Sequence, residues 1–96
     1  MSGWPTPEAA KALVDAGAQL VDVRSEAEYA MGHLPGSLLL PMHLIPTGAE
    51  AALAKDRPVL VVCQSGARSA MAVQYLQRLG YDARDLGPWS LYRHAF

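Results

Sequence analysis

The chain has 96 residues, of which 51% are apolar and 18% charged, and its formal net charge at pH 7 is −1. This length suffices for one core and is too short for two, so we predict a single domain over residues 1–96. The balanced charge gives no electrostatic footprint for binding nucleic acid or an anionic membrane surface. One cysteine excludes an internal disulfide, and no histidine or cysteine spacing indicates a metal site.

The first ten residues, MSGWPTPEAA, contain neither a basic run nor an apolar stretch of signal-peptide length. The apolar run VLVVC is far too short to cross a membrane. A lone cysteine also fits a reducing compartment, where a thiol stays free. We therefore expect a cytoplasmic protein.

Helical and extended patterns alternate in the first half of the chain. Thr6, Pro7 and Glu8 predict a helix start with a capping side chain and a first-turn proline, and Gly17 predicts its end. A short buried strand is expected at residues 20–23. A capping-box spacing predicts a helix from residue 26 to about 31, because a serine at position 25 precedes a glutamate at 28. GHLPGS then indicates a turn, and SLLL a second short strand.

The alternation continues in the second half. Thr47 and Glu50 have capping-box spacing and predict a helix through about Ala54. RPVLVVC is apolar enough to be a strand covered on both faces. RSAMAVQYLQRLG predicts a helix that ends at Gly80, and YDARDL and WSLYRHAF predict a last strand and a short C-terminal helix.

This order of elements predicts an α/β fold with a parallel sheet and helices on both faces. In such sheets, ligands bind outside the carboxyl ends of the strands. Two polar clusters fall there: Asp22 and Arg24 after the first strand, and residues 63–69 after the central strand. We therefore expect the functional site at this edge.

The second cluster begins with Cys63 at the end of the central strand. If the next residues turn tightly into a helix that begins near Ser69, their backbone N–H groups converge on the sulfur and form an anion site. A thiolate held there has a pKa below the free value of about 8.5. The residues of this loop are Gln64, Ser65, Gly66, Ala67, Arg68 and Ser69.

Three of the loop residues have expected roles. Gly66 permits backbone angles that other residues resist, and Arg68 adds a positive charge that can hold an anionic substrate. Ser69 can cap the helix and donate a hydroxyl. Together they predict an activated sulfur nucleophile that needs no histidine base. The alternative is an inert cysteine that only packs, which is the commoner state of a cysteine after an apolar strand.

Two stretches resemble those of single-domain rhodaneses, a family of sulfurtransferases. They are VDVRSEAEYAMGHLPGSLLLP (residues 21–41) and VVCQSGARSAMAVQYLQRLGY (residues 61–81). The first resembles the family's Asp-Val-Arg, Glu-Tyr/Phe and Gly-His-x-Pro-Gly-Ser stretch, and the second its Cys-x-x-Gly-x-Arg-Ser loop. The resemblance extends from about residue 6 to 92. It implies the rhodanese-like three-layer fold with a central, mostly parallel sheet.

The resemblance also implies an activity. Cys63 is expected to take a sulfane sulfur from thiosulfate or a persulfide donor and to pass it to a thiol or cyanide. Arg68 is expected to help bind the anionic donor, Asp22 to hydrogen-bond in support of the loop, and Arg24 to form a salt bridge to Glu28. An ordinary surface ion pair remains the alternative for Asp22 and Arg24. No bound cofactor, metal, nucleic acid or membrane is expected, and a protein sulfur acceptor stays open.

Three other functions compete with this interpretation. The chain could be a persulfide relay for a protein partner with little turnover of small donors, or a rhodanese-like module without chemistry. Cysteine phosphatases and arsenate reductases are disfavoured, because their loop has five residues between cysteine and arginine and this loop has four.

The C-terminal stretch departs from the family pattern of Leu-x-Gly-Gly followed shortly by tryptophan. Pro88 replaces the second glycine, and Trp89 follows directly. Trp89 either shapes the acceptor side of the site or packs against the core. His33, in GHLPGS, is interpreted as a hydrogen-bonded turn residue.

Overall fold

The structure is a computed structural model that describes residues 3–96. Over these residues, four strands form one parallel sheet in the order β2-β1-β3-β4. The strands are β1 (Gln19–Asp22), β2 (Leu38–Leu39), β3 (Val59–Cys63) and β4 (Ala83–Pro88). The α-helices are α1 (Pro7–Asp15), α2 (Glu26–Met31), α3 (Ile45–Ala52) and α4 (Ala67–Arg78), with 3-10 turns at Met42–Leu44 and Trp89–Tyr92. The predicted α/β fold with a parallel sheet is confirmed.

Helices cover both faces of the sheet, as the apolar pattern of the central strand predicts. Alternate residues of a strand point to opposite faces. Val61 packs in a core with residues of α3 and α4, and Leu60 packs in a second core with α1 and the C-terminal turn. All five residues of β3 are buried, so β3 lies in the middle layer of a three-layer structure.

The predicted start of α3 is wrong, and that of α4 differs by one residue. α3 begins at Ile45 and has no capping side chain, so the Thr47–Glu50 pair lies inside the helix. The preceding 3-10 turn leads directly into α3, and the N–H of Ile45 donates to the Met42 carbonyl, so this end needs no separate cap. α4 begins at Ala67, one residue before the predicted RSAMAVQYLQRLG segment. The capping box of Ser25 and Glu28 is confirmed.

The carboxyl ends of β1, β3 and β4 meet at one edge of the sheet. Asp22 pairs with Val62, and Cys63 pairs with Pro88. The β3–β4 pairing shifts by one residue between Val61 and Val62, and β4 extends through the proline. Trp89 therefore follows immediately beside the cysteine loop. No helix of residues 3–96 is long and apolar enough to span a membrane.

Candidate active site

The Cys63 sulfur lies in a cradle formed by the turn into α4. The Gly66 N–H donates to Sγ at 2.9 Å, and the Ser69 Oγ lies 3.4 Å from Sγ. Gly66 precedes α4 with φ of +107°, a conformation that side chains resist, so the tight turn requires glycine. Ser69 is in the first turn of α4 and does not cap it, contrary to the prediction. The Ser69 hydroxyl donates to the Gly66 carbonyl at 3.1 Å. The same hydroxyl oxygen accepts from the Cys63 thiol.

This cradle changes the acidity of the thiol. Burial of the sulfur raises the pKa of Cys63. The hydroxyl of Ser69 and the backbone N–H groups of Ser69, Gly66 and Ser65 lower this pKa, and their combined effect is larger than that of burial. The pKa of the thiol therefore lies below its ordinary value, as predicted. When the proton leaves the sulfur, the Ser69 hydroxyl can turn and donate to the thiolate. The arrangement favours a sulfur anion with no imidazole base.

Arg68 is held by a carboxylate from another helix. Its two terminal nitrogens donate to the Glu28 oxygens at 2.7 and 2.9 Å. Glu28 is also the acid of the α2 capping box and accepts from the Ser25 N–H at 3.0 Å. The hydrogen bonds from Arg68 and Ser25 lower the pKa of Glu28 to about 2. The expected salt bridge from Arg24 to Glu28 is therefore wrong, since Arg68 takes that place.

Arg24 turns inward and pairs with Asp22. The guanidinium donates to the Asp22 carboxylate at 2.8 to 3.0 Å, and the Arg24 backbone N–H donates to the same group. Both side chains are buried, at 2% and 0% exposure, so the alternative of an ordinary surface ion pair is also wrong. Arg24 further donates to the Gly32 carbonyl at 2.7 Å and to Gln64 Oε1 at 3.3 Å. Asp22 thus acts on the cysteine loop through Arg24.

Trp89 borders the cysteine loop from the β4 side. Its indole N–H donates to Gln64 Oε1 at 3.4 Å, and the Arg24 guanidinium carbon lies 4.6 Å from the centre of the ring. The ring also packs close to Gly32: a Cβ atom added to Gly32 would lie 3.2 Å from the Trp89 ring. Trp89 packs against a core, as one of the two alternatives predicts, and it also contacts the cysteine loop.

Trp4 is a neighbour of the loop that sequence reasoning missed. A Cβ atom added to Gly66 would lie 2.9 Å from its ring, and one added to Gly87 would lie 2.3 Å from it. The indole N–H donates to Asp85 at 3.4 Å, and Asp85 also accepts from the Gly87 N–H. The only signal in the sequence is indirect: Gly87 stands where β4 approaches the loop, and such a glycine often marks close packing.

His33 stands apart from the cysteine. Its Nδ1 lies 2.8 Å from the Tyr29 carbonyl, and its ring stacks on that of Tyr29 with centroids 3.6 Å apart. The interpretation of His33 as a hydrogen-bonded turn residue is confirmed. Within residues 3–96, no group of three or more histidine, cysteine or acidic side chains is placed to hold a metal ion.

A cleft of about 360 Å³ lies between the turn after β2 and helix α4, which starts from the cysteine loop. Met71 is 63% exposed and Tyr75 37% exposed on this side of α4. Apolar residues that line the cleft are Met42, Ile45, Pro46, Met71 and Tyr75. The molecule therefore exposes apolar surface next to the element that carries the sulfur cradle.

The fold and the cradle define an α/β domain with a parallel sheet, in which an inner strand ends in a buried cysteine of lowered pKa. Residues 6–87 of this domain match the family described as the rhodanese-like domain. The chain belongs to this family.

Named relatives support the same assignment. A sulfurtransferase from Allochromatium vinosum is 52% identical over 62 residues, which are 65% of this chain and 57% of the relative. The thiosulfate sulfurtransferase GlpE of Stutzerimonas stutzeri is 38% identical over 92 residues, which are 94% of this chain and 84% of that protein. The crystal structure of a rhodanese-like domain protein from Staphylococcus aureus matches with a TM-score of 0.79 and 33% identity, covering 91% of this chain and 87% of that one. The chain is thus related to sulfurtransferases and shares the rhodanese fold.

Proposed function

We propose that this protein is a rhodanese-type sulfurtransferase that carries a sulfane sulfur on Cys63. The observation that supports this most is the cradle of N–H groups, in which Gly66 donates to Sγ at 2.9 Å and the pKa of the thiol is lowered. The donor is thiosulfate or a persulfide, and the acceptor is a thiol or cyanide. A reaction of this kind needs a reduced thiol, which fits a cytoplasmic location.

The reaction is two displacements at sulfur. The Cys63 thiolate attacks the outer sulfur of thiosulfate, an S–S bond forms, and sulfite leaves with the electron pair of the bond that breaks. The acceptor thiolate then attacks the outer sulfur of the Cys63 persulfide and leaves as a new persulfide, which restores the Cys63 thiolate. The same N–H cradle stabilises each sulfur anion in turn.

Arg68 has a divided role in this proposal. Its two hydrogen bonds to Glu28 fix the direction of the guanidinium and use one N–H of each terminal nitrogen. Three of its five N–H groups remain for an anionic donor. Asp22 and Arg24 act as supporting residues: Asp22 pairs with Arg24, and Arg24 donates a hydrogen bond to Gln64 of the loop.

The direct test is thiocyanate formation from thiosulfate and cyanide, with Cys63→Ser alongside. We expect turnover by the native protein and none by the variant, and a mass increase of one sulfur atom on the native protein after thiosulfate alone. Equal turnover by both proteins would show that Cys63 is not the nucleophile. Hydrolysis of p-nitrophenyl phosphate in place of sulfur transfer would support the phosphatase alternative.

A second candidate is a persulfide relay whose acceptor is a protein. The exposed Met71 and Tyr75 along α4 support it, because exposed apolar patches are typical of sites that bind partners. This function predicts that the native protein gains one sulfur in the mass assay and forms little thiocyanate. A Met71→Glu variant would then keep the persulfide and lose transfer to the protein acceptor.

A further inference from the structure

We infer that Trp4 is a positioning residue for the chemistry of Cys63: its ring holds the turn at Gly66, so that the Gly66 N–H stays aimed at the sulfur. The role is indirect, since the ring acts on the sulfur through the backbone of Gly66. It rests on the proposed function, because it concerns the reactivity of the same sulfur. Trp4 lies outside residues 6–87, which match the family, so membership of the family assigns it no role.

The Trp4 ring packs against two glycines at once. A Cβ atom added to Gly66 would lie 2.9 Å from ring atom Cζ2, and one added to Gly87 would meet three atoms of the same ring within 3.0 Å. The glycines also adjoin each other, because the added Gly66 Cβ would lie 3.8 Å from the Gly87 Cα. Gly66 is buried and has no side chain, so the ring fills the space beside the turn.

Two anchors outside the cysteine loop hold the ring. The indole N–H donates to Asp85 Oδ2 at 3.4 Å, and the other oxygen of this carboxylate accepts from the Gly87 N–H at 2.8 Å. The next residue along the chain is tied as well, since the Pro5 carbonyl accepts from the Tyr92 hydroxyl at 2.9 Å. Tyr92 is buried in the second core. The ring is therefore held by β4 and by this core, and the turn rests against it.

Gly66 matters to the sulfur because of its N–H group. This group donates to Sγ at 2.9 Å, whereas the Ser69 Oγ lies 3.4 Å from Sγ. A hydrogen bond to an anion weakens steeply when its angle bends. Glycine has the widest backbone freedom of any residue, so packing must hold the orientation that Gly66 has at φ of +107°. Without the ring, we expect the N–H to lose its alignment and the thiolate to lose part of its stabilisation.

The first experiment measures the thiol without sulfur transfer. Trp4→Ala and the native protein are compared in the pH profile of alkylation by iodoacetamide. We expect the Trp4→Ala profile to move to higher pH, with alkylation about three- to tenfold slower on the acidic side of the midpoint, because one hydrogen bond to the thiolate is weakened. Trp4→Phe keeps a smaller aromatic ring and should recover part of the rate. The charged groups of the surrounding elements are unchanged in every variant: Asp22, Arg24, Glu28, Arg68 and Asp85.

Leu13→Ala is the control for a general loss of stability. Leu13 is on α1 and packs against the second core, so its truncation should lower the free energy of unfolding and leave the alkylation profile at the native position. An unmoved profile for Trp4→Ala, or a Leu13→Ala profile that moves as far, would overturn the inference. If Trp4→Ala does not fold, the same outcomes are read from Trp4→Leu, which keeps apolar bulk but lacks the ring atoms that face Gly66.

An NMR titration ties the effect to Gly66. In the native protein, the Gly66 amide proton should change its chemical shift strongly as Cys63 titrates, since this amide donates to Sγ. We expect the change to shrink in Trp4→Ala. The Gly80 amide donates to the Gln77 carbonyl at 3.1 Å and should change little in either protein. A Gly66 signal that titrates equally in both proteins would contradict the role of the ring.

A sulfur-transfer assay separates this role from the proposed function. Below the midpoint of alkylation, kcat/KM for thiosulfate should fall in Trp4→Ala by the same factor as the alkylation rate. If the alkylation profiles move as expected but the native protein transfers no sulfur, the proposed function is contradicted and the role of Trp4 stands. Native sulfur transfer by Trp4→Ala with an unmoved alkylation profile would have the opposite meaning.

Discussion

Glu28 accepts hydrogen bonds from both terminal nitrogens of Arg68, at 2.7 and 2.9 Å, although 40 residues separate them. The same carboxylate closes the capping box of α2. A side chain that sequence alone assigns to helix capping therefore also orients the one cation of the cysteine loop. Both the capping box and the ion pair with Arg68 depend on the negative charge of Glu28. The stability that this charge contributes can therefore be measured by lowering the pH until Glu28 is protonated.

We predict that Glu28→Gln lowers the melting temperature at pH 7 and that the difference from the native protein disappears in acid. The pKa of Glu28 is lowered from 4.5 to about 2 by Arg68 and Ser25. A depressed pKa contributes stability that is complete above about pH 4.5 and is lost as the pH falls toward 2. Thermal unfolding followed by circular dichroism from pH 2 to 7 tests this.

Glu26→Gln is the matched control for that series. Glu26 lies in the same first turn of α2, is exposed, and forms no ion pair within residues 3–96. Its replacement removes only the helix-dipole interaction and should lower the melting temperature much less. A Glu28→Gln effect that stays constant from pH 7 to pH 2 would contradict the linkage.

A second prediction concerns the acidity of the thiol. The Ser69 hydroxyl lies 3.4 Å from Sγ and lowers the pKa of Cys63, so Ser69→Ala should raise that pKa. We expect the pH profile of alkylation by iodoacetamide to move to higher pH, because the reacting species is the thiolate. Rates are measured from pH 5 to 10, with the loss of free thiol followed by mass spectrometry.

Ser65→Ala separates this effect from a general disturbance of the loop. Ser65 stabilises the thiolate through its backbone N–H, which alanine keeps. The alkylation profile of this variant should coincide with that of the native protein. Coincident profiles for Ser69→Ala and the native protein would show that the Ser69 hydroxyl does not lower the pKa of Cys63.

Sequence patterns predict the fold and the cysteine loop because local rules govern them. A short apolar run favours a buried strand, a glycine permits the tight turn, and the alternation of elements favours a parallel sheet. The partners of the charged residues are different, since they depend on which way long side chains turn after folding. Arg24 is much nearer to Glu28 than Arg68 is along the chain, yet Arg24 turns inward to Asp22 and Arg68 pairs with Glu28.

Trp4 could not be placed from sequence for a related reason. It precedes α1, where no periodic pattern assigns it a face. Its contact with Gly87 joins positions 83 residues apart along the chain and depends on the path of the N-terminal segment. The wrong start of α3 also has a structural reason. Thr47 and Glu50 have capping-box spacing, but the preceding 3-10 turn already provides a hydrogen bond at the start of the helix, so α3 begins earlier, at Ile45.

A third prediction compares two Asp–Arg pairs with the same spacing of two residues. Asp22→Asn leaves the buried Arg24 charge without its counter-ion, and we expect a loss of about 3 to 5 kcal/mol in the free energy of unfolding. Asp82→Asn breaks the exposed pair with Arg84, whose side chains are 55% and 44% exposed, and should cost less than about 1 kcal/mol. Urea unfolding at pH 7 gives both values. Similar losses for the two variants would contradict the burial of the Asp22–Arg24 pair.

The last prediction tests the contact between Trp4 and β4. Gly36 and Gly87 both have positive φ, at +81° and +71°, so an alanine at either site is strained by about 1 to 2 kcal/mol. A Cβ on Gly36 meets no atom within 4 Å, whereas one on Gly87 would lie 2.3 Å from the Trp4 ring. Gly87→Ala should therefore lower the free energy of unfolding by more than Gly36→Ala, and the extra loss measures the clash.

A double-mutant cycle identifies the source of that extra loss. In a Trp4→Ala background the ring is absent, so Gly87→Ala should cost only about what Gly36→Ala costs in the native background. Urea unfolding of the four proteins of the cycle, with Gly36→Ala as reference, gives the coupling. Additive losses would mean that Trp4 and Gly87 do not touch. A strong coupling would establish that the N-terminal tryptophan closes the packing behind the sulfur cradle, where it also lies against Gly66.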